Sequence, residues 1–232
     1  MKPTPIVLKV LNWISLVLLA IATYLTIYWA PQEVTMGNVQ RVFYFHVATG
    51  WVGMIGFLLA VFSGIMYLRT SDMKWDIIGL AGIEIGLVFS LVNIVTGAIW
   101  ARPIWNTWWT WDPRLVTAAI MELVYIAYIM LRQGIEEPER RARFGAIYAI
   151  VGFVSVPLSF LSIRIWRTIH PVVIGSGDAA AEGTFDMTAG MQTAFFFSLA
   201  TFTVFGITLL WHRIRLGRLQ DTIEKAKMEV MS

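Results

Sequence analysis

IIGLAGIEIGLVFSLVNIVTGAIW, residues 77–100, carries one charged side chain, Glu84, and is apolar almost throughout. A bilayer core is about 30 Å thick, and a helix needs roughly 20 apolar residues to cross it. The run is continuous and does not alternate, which favours a spanning helix over a barrel strand of about ten residues. Working outward, five further runs have the same character: about 6–29, 43–68, 115–131, 144–163 and 191–212. The run at 115–131 is the shortest and is expected to need snorkelling ends or a thin bilayer. The composition agrees, with 57% hydrophobic and 14% charged residues and a mean hydropathy of +0.67. The expected fold class is therefore all-α: a polytopic membrane protein with six transmembrane helices in one domain over residues 1–232. The first run, behind Lys2 and Lys9, is too long for a signal peptide and has no small-residue cleavage site after it, so it reads as a retained helix.

The connecting segments set the orientation. With both termini cytoplasmic, the inner segments hold thirteen of the 18 basic residues: Lys2, Lys9, Arg69, Lys74, Arg132, Arg140, Arg141, Arg143, Arg213, Arg215, Arg218, Lys225 and Lys227. The outer segments hold Arg41, Arg102, Arg114, Arg164 and Arg167. This is the positive-inside skew. It accounts for a pI near 9.3 without a nucleic-acid partner, and the basic tail after the last span suits anionic membrane lipid. The outer loops are then 30–42, 101–114 and 164–190, while the short charged inner loops read as stop signals.

The middle outer loop, 101–114, lies within the most unusual stretch of the chain. WNTWWTWDPRL, residues 105–115, places Trp105, Trp108, Trp109 and Trp111 ahead of Asp112, Pro113 and Arg114, with Trp100 just upstream. Five of the eleven tryptophans therefore fall between residues 100 and 111. An interfacial aromatic belt explains one or two such rings per loop; five close together suggest a platform for a flat apolar ligand.

Two of the three histidines share that side. His46 sits in RVFYFHVATGW before the loop and His170 in SIRIWRTIHP after it, whereas His212 lies with the inner basic tail. A neutral imidazole offers one ring nitrogen to a metal while the other is oriented by a hydrogen bond. Two imidazoles are a poor cage for bare zinc, which takes four ligands. They are a full axial set for haem, whose porphyrin supplies four nitrogens. Arg41, Arg102, Arg114, Arg164 and Arg167 would face its propionates. A fifth helix running slightly past the bilayer would put Trp166 and His170 on one face, four residues apart, and end near His170 because Pro171 follows. The chain has no cysteine, which excludes disulfides, thiolate metal sites and cysteine nucleophiles. No nucleophile–base pair suggests hydrolysis. A transmembrane electron carrier would hold its histidines on facing helices within the bilayer, against the single-surface arrangement here.

Other features admit plainer readings. Glu84 and Glu122, within apolar runs, need partners or protonation; interhelical hydrogen bonding is the simpler reading and a proton or ion path the sharper one. Asn93 is a polar companion on the helix of Glu84. The glycines at 50, 53 and 56 and at 79, 82 and 86 suit helix-packing faces. The segment VVIGSGDAAAEGTFD, 172–186, has no strand before its glycines and is no phosphate cradle; a lid or docking surface remains open.

Taken together, WARPIWNTWWTWDPRL, RVFYFHVATGW and IWRTIHP resemble the tryptophan-rich (WWD) haem-handling proteins of cytochrome c maturation, and specifically the haem exporter protein C family, CcmC, over all six spans. The resemblance implies that His46 and His170 are axial ligands of haem b (iron protoporphyrin IX). It implies that Trp100, Trp105, Trp108, Trp109, Trp111 and Asp112 form the outer-face platform. It also implies an integral protein of the bacterial cytoplasmic membrane that passes haem to a membrane-anchored haem chaperone. Its expected partners are an ABC-type transporter pair and a very small membrane subunit. It is expected to be a transfer station and not an enzyme; the alternative is a subunit of a cytochrome c haem lyase. Ala101 and Asn106 stand where the family often has glycine, which puts the loop's shape in question.

Overall fold

The computed structural model describes residues 3–34, 36–171 and 187–231. In chain order the helices are α1 (Ile6–Tyr24), continued by a π-helical turn (Leu25–Trp29), α2 (Gln40–Thr70), α3 (Met73–Trp105), α4 (Pro113–Gln133), α5 (Pro138–Gly152), α6 (Ser155–Ile165) and α7 (Ala189–Met231). Six stretches are long and apolar enough to cross a membrane, α5 and α6 jointly making the fifth. The all-α, six-span expectation is borne out. The segment 172–186, read above as a lid or docking surface, lies outside the described residues.

Several helix ends differ from the hydropathy estimate, and polar caps explain them. Asp112 accepts from Arg114 N at 2.9 Å and Pro113 fills the first helical position, so α4 starts before its apolar run. At 21 residues α4 is about 32 Å long and crosses a bilayer unaided, so no thinning is needed. The Asp72 side chain likewise caps α3 through Lys74 N at 2.9 Å. That helix continues through Pro103 to Trp105 and ends at Asn106, whose φ is +54°. Asparagine is among the few residues with a side chain that adopt this left-handed conformation readily, which reconciles Asn106 with a family preference for glycine. The irregular part of the expected 101–114 loop is thus 106–112.

The centre of the molecule is the α2–α3 pair. A Cβ placed on Gly56 would lie 2.6 Å from the Gly82 carbonyl oxygen, and one on Gly82 would lie 2.7 Å from that of Gly56. The glycine faces read from the sequence therefore bring two backbones together. Across the same core, Phe57 stacks on Tyr125 of α4 with ring centres 3.8 Å apart. α2 also packs on α5 and α7, and α1 packs on α7, joined by Ser15 Oγ and Thr208 Oγ1 at 3.0 Å.

The two carboxylates within the apolar runs are paired. Glu122 accepts from Ser90 Oγ, and Glu84 accepts from Arg213 Nη2 at 2.7 Å. Interhelical bonding is thus what both carboxylates do. Arg132 grips Asp76 with two nitrogens at 2.5 and 2.8 Å, at the end of the bundle away from His46.

The fifth span is broken at mid-depth. Pro157 has no N–H to return to the Phe153 carbonyl, which instead accepts from Val156 N at 2.9 Å. Ser155 Oγ donates to the Gly152 carbonyl at 2.7 Å, so the interruption leaves backbone groups satisfied within the apolar layer. Before the break α5 packs on both α2 and α4, whereas beyond it α6 packs chiefly on α4. That divergence leaves room between α2–α3 and α4–α6, where the candidate site lies.

Candidate two-histidine site

His46 projects from α2 and His170 from the irregular segment after α6. They are 124 residues apart in sequence, yet their ring centres are 6.4 Å apart with planes inclined by 39°. Both rings line one cleft with Phe43 and Val47 of α2, Asn93, Gly97 and Trp100 of α3, Trp105, Trp108 and Trp109 around the loop, and Arg114 and Leu115 of α4. The cleft encloses about 840 Å³, part of it continuous with the surroundings. Its lining is largely apolar and aromatic, which suits a flat apolar group.

Each ring has its tautomer set by a carbonyl. His46 Nδ1 lies 2.9 Å from the Asn93 carbonyl oxygen, and His170 Nδ1 lies 3.1 Å from that of Pro171. A carbonyl only accepts, so each Nδ1 carries the proton and each Nε2 keeps its lone pair. This is the arrangement that prepares an imidazole for a metal. Asn93 Nδ2 also donates to the His46 carbonyl at 2.6 Å, so Asn93 holds His46 by side chain and main chain. Gly97 leaves room for the ring: a Cβ there would lie 3.0 Å from His46 Cε1. Loss of hydration, then the Arg114 charge, then His46 push the His170 imidazole down from the usual 6.5 to about 3. It is neutral throughout the physiological range. Among the described residues no group of three or more His, Cys, Asp or Glu could hold a bare ion.

The tryptophans divide. Trp100 and Trp105 belong to α3 and meet edge to face, ring centres 5.2 Å apart. Trp108 and Trp109 line the cleft from the loop. Trp111 does not line it; its ring is 85% exposed and packs edge-on against Trp109 at 6.2 Å. Of the arginines, Arg114 alone is among the lining residues, and its Nη1 donates to Ser159 O and Oγ of α6 at 2.6 and 2.9 Å. Arg102 donates to the Asn106 carbonyl at 2.9 Å and so closes the end of α3. Arg41, Arg164 and Arg167 lie outside the lining. Asp112 is also outside it, with its carboxylate turned to the His170 segment. His212 Nε2 sits 2.8 Å from Asn12 Oδ1, at the opposite end.

One expectation of local geometry changes. α6 ends at Ile165 and Trp166 is extended, with φ −118° and ψ 151°, so Trp166 and His170 do not share a helical face. Asn93, on the helix of Glu84 but nine residues away from it, bonds His46. Its spacing to Gly97 and Trp100, at i, i+4 and i+7, marks one face of α3 and was the signal available in the sequence.

A six-span helical membrane protein with paired neutral imidazoles under a tryptophan cap is the class these features define. The chain belongs to the haem exporter protein C family: the family model described as "Heme exporter protein C" matches residues 1–229. It is 28% identical over 222 residues to "Heme exporter protein C" of Escherichia coli strain K12, covering 91% of this chain and 86% of that protein. The Bradyrhizobium diazoefficiens protein of the same name is 30% identical over 165 residues, covering 70% of this chain and 62% of that one. A ccmC-like mitochondrial protein of cytochrome c biosynthesis from Marchantia polymorpha is 29% identical over 153 residues, covering 66% and 64%. The matched stretch is thus less than two thirds of the length of the last two relatives.

Proposed function

We propose that this protein binds haem b at the outer face of the bacterial cytoplasmic membrane, between His46 and His170, and hands it to a membrane-anchored haem chaperone during cytochrome c maturation. The observation that carries this reading is the histidine pair: two imidazoles 6.4 Å apart, both with the proton on Nδ1 and Nε2 free. His46 and His170 would hold the haem iron through their Nε2 atoms. The described residues include no group of three or more His, Cys, Asp or Glu, and haem would supply four nitrogens of its own. The tryptophans that line the cleft supply apolar flat surface, and Arg114 a cation within it.

The orientation rests on the basic-residue skew. Two neutral nitrogens bind iron without the thiolate that would react with the ligand, which suits a protein that must give haem up. The family name supports work in cytochrome c maturation, alongside an ABC-type transporter pair and a small membrane subunit. The test is an absorption spectrum of the purified protein titrated with haemin, repeated with His46→Ala and His170→Ala. The two-nitrogen low-spin spectrum is expected from the native chain and from neither variant; a variant that keeps it removes that histidine from the site. Coexpression with the chaperone should load the chaperone with haem. Covalent cytochrome formed without a chaperone would favour the lyase role instead.

A further inference from the structure

Asp112 ends the tryptophan stretch, yet its carboxylate faces away from the cleft. It is buried, with 9% of its surface exposed. Oδ1 accepts from Arg114 N at 2.9 Å, capping α4. Thr168 Oγ1 lies 2.7 Å from Oδ1 and 2.8 Å from Oδ2, and Ile169 N donates to Oδ2 at 2.9 Å. The Thr168 hydroxyl, 2% exposed as a residue, in turn accepts from His170 N at 3.0 Å. One carboxylate thus joins the first turn of α4 to a segment 56 residues later, and the joint ends on the backbone of His170. No helix carries that segment, since α6 has stopped at Ile165. Two residues beyond Asp112, Arg114 ties the same helix start to Ser159 of α6.

We propose that Asp112 is a positioning residue: through Thr168 and Ile169 it sets His170 at the distance from His46 that a shared metal requires, without touching the ligand. This rests on the two-histidine haem reading above. A hydroxyl has one proton to give, and here the carboxylate takes it, leaving the oxygen lone pairs for His170 N–H. The Ile169 N–H takes the second carboxylate oxygen. Asn at position 112 keeps one acceptor and turns an NH₂ on a donor, so one of the two ties is lost. Val at position 168 keeps the shape and removes the hydroxyl, leaving Asp112 intact. Partners that orient metal ligands from behind typically change metal affinity by about 10–100-fold when removed.

The experiment uses the full chain in detergent, with haemin as probe, comparing the native protein, Asp112→Asn and Thr168→Val. Both variants are expected to lose about 10–100-fold in haemin affinity, read from tryptophan quenching, and to shift from the six-coordinate to a five-coordinate spectrum. Added imidazole should restore the six-coordinate spectrum in both, because His46 and the cleft remain. In the haem-free proteins, hydrogen exchange of the peptide covering 163–171 should be faster in both variants. Thr168→Val decides if Asp112→Asn does not fold. A Thr168→Val protein with native spectrum and affinity overturns the proposal, as does a loss of binding that imidazole leaves unchanged. If the native chain gives no two-nitrogen spectrum, the haem reading fails, and the exchange data then judge the Asp112 tie alone.

Discussion

His46 and His170 meet in one cleft but are held by opposite means. His46 rides on the 31-residue α2, wedged against α3 where Gly56 and Gly82 bring backbone to backbone. His170 sits on an irregular segment held by Asp112 and Thr168. One imidazole is fixed by packing that runs the depth of the molecule; the other depends on a handful of hydrogen bonds. If His46 and His170 share one ligand as proposed, one rigid jaw is enough. The second can be placed by local bonds, and those are easier to undo when a ligand must leave.

Breaking the rigid side should have the largest effect. Gly56→Ala forces a methyl group to 2.6 Å from a carbonyl oxygen, and separating the helices is expected to cost about 3 kcal/mol or more, at the upper end of overpacking penalties. Thermal unfolding in detergent would show this as a Tm lower by several degrees; an unchanged Tm would mean the two helices part freely. Gly97→Ala acts one level up. Its methyl group would press on the His46 ring at 3.0 Å, so haemin affinity should fall about tenfold, equivalent to about 1.4 kcal/mol, with Tm barely altered.

Acid probes the other jaw. The His170 imidazole is held near 3, below its usual 6.5. Its proton uptake therefore lags that of an unfolded chain, and the folded state loses stability as pH falls below about 6.5. Haem release on acidification should likewise have a midpoint well under pH 6.5, followed by the loss of the low-spin spectrum; release centred near 6.5 would contradict a desolvated His170. The smallest effect is expected from Ser159→Ala. Arg114 keeps the Ser159 carbonyl at 2.6 Å, so removing only the hydroxyl should cost about 0.5–1 kcal/mol, measured as a small Tm shift with unaltered haemin affinity.

The spans were legible because hydropathy is a property of long windows: six apolar runs became six passes. Their ends were less so, because Asp112, Pro113 and Asp72 extend helices through polar chemistry that such windows discount. The break in the fifth span had a local signal in Gly152 and Pro157, but an apolar run reads as continuous across them. At the site, His46, His170 and four of the tryptophans were legible from residue type and shared side. Asn93 left only its spacing to Gly97 and Trp100 as a signal and Thr168 left none, since a polar residue far away in sequence shows its partner only once the helices are packed. The family resemblance put Asp112 in the aromatic platform, yet its carboxylate turns to Thr168 and Ile169, because neighbours in sequence at a helix cap face different ways.

At Gly56 and Gly82 no side chain stands between the two main chains. The gap between those helices is therefore dictated by peptide dimensions. Whatever α2 and α3 display at their upper ends inherits that gauge: drift in the lipid-facing residues leaves the placement of the His46 ring untouched, as though the protein measured its ligand with its own backbone for a ruler.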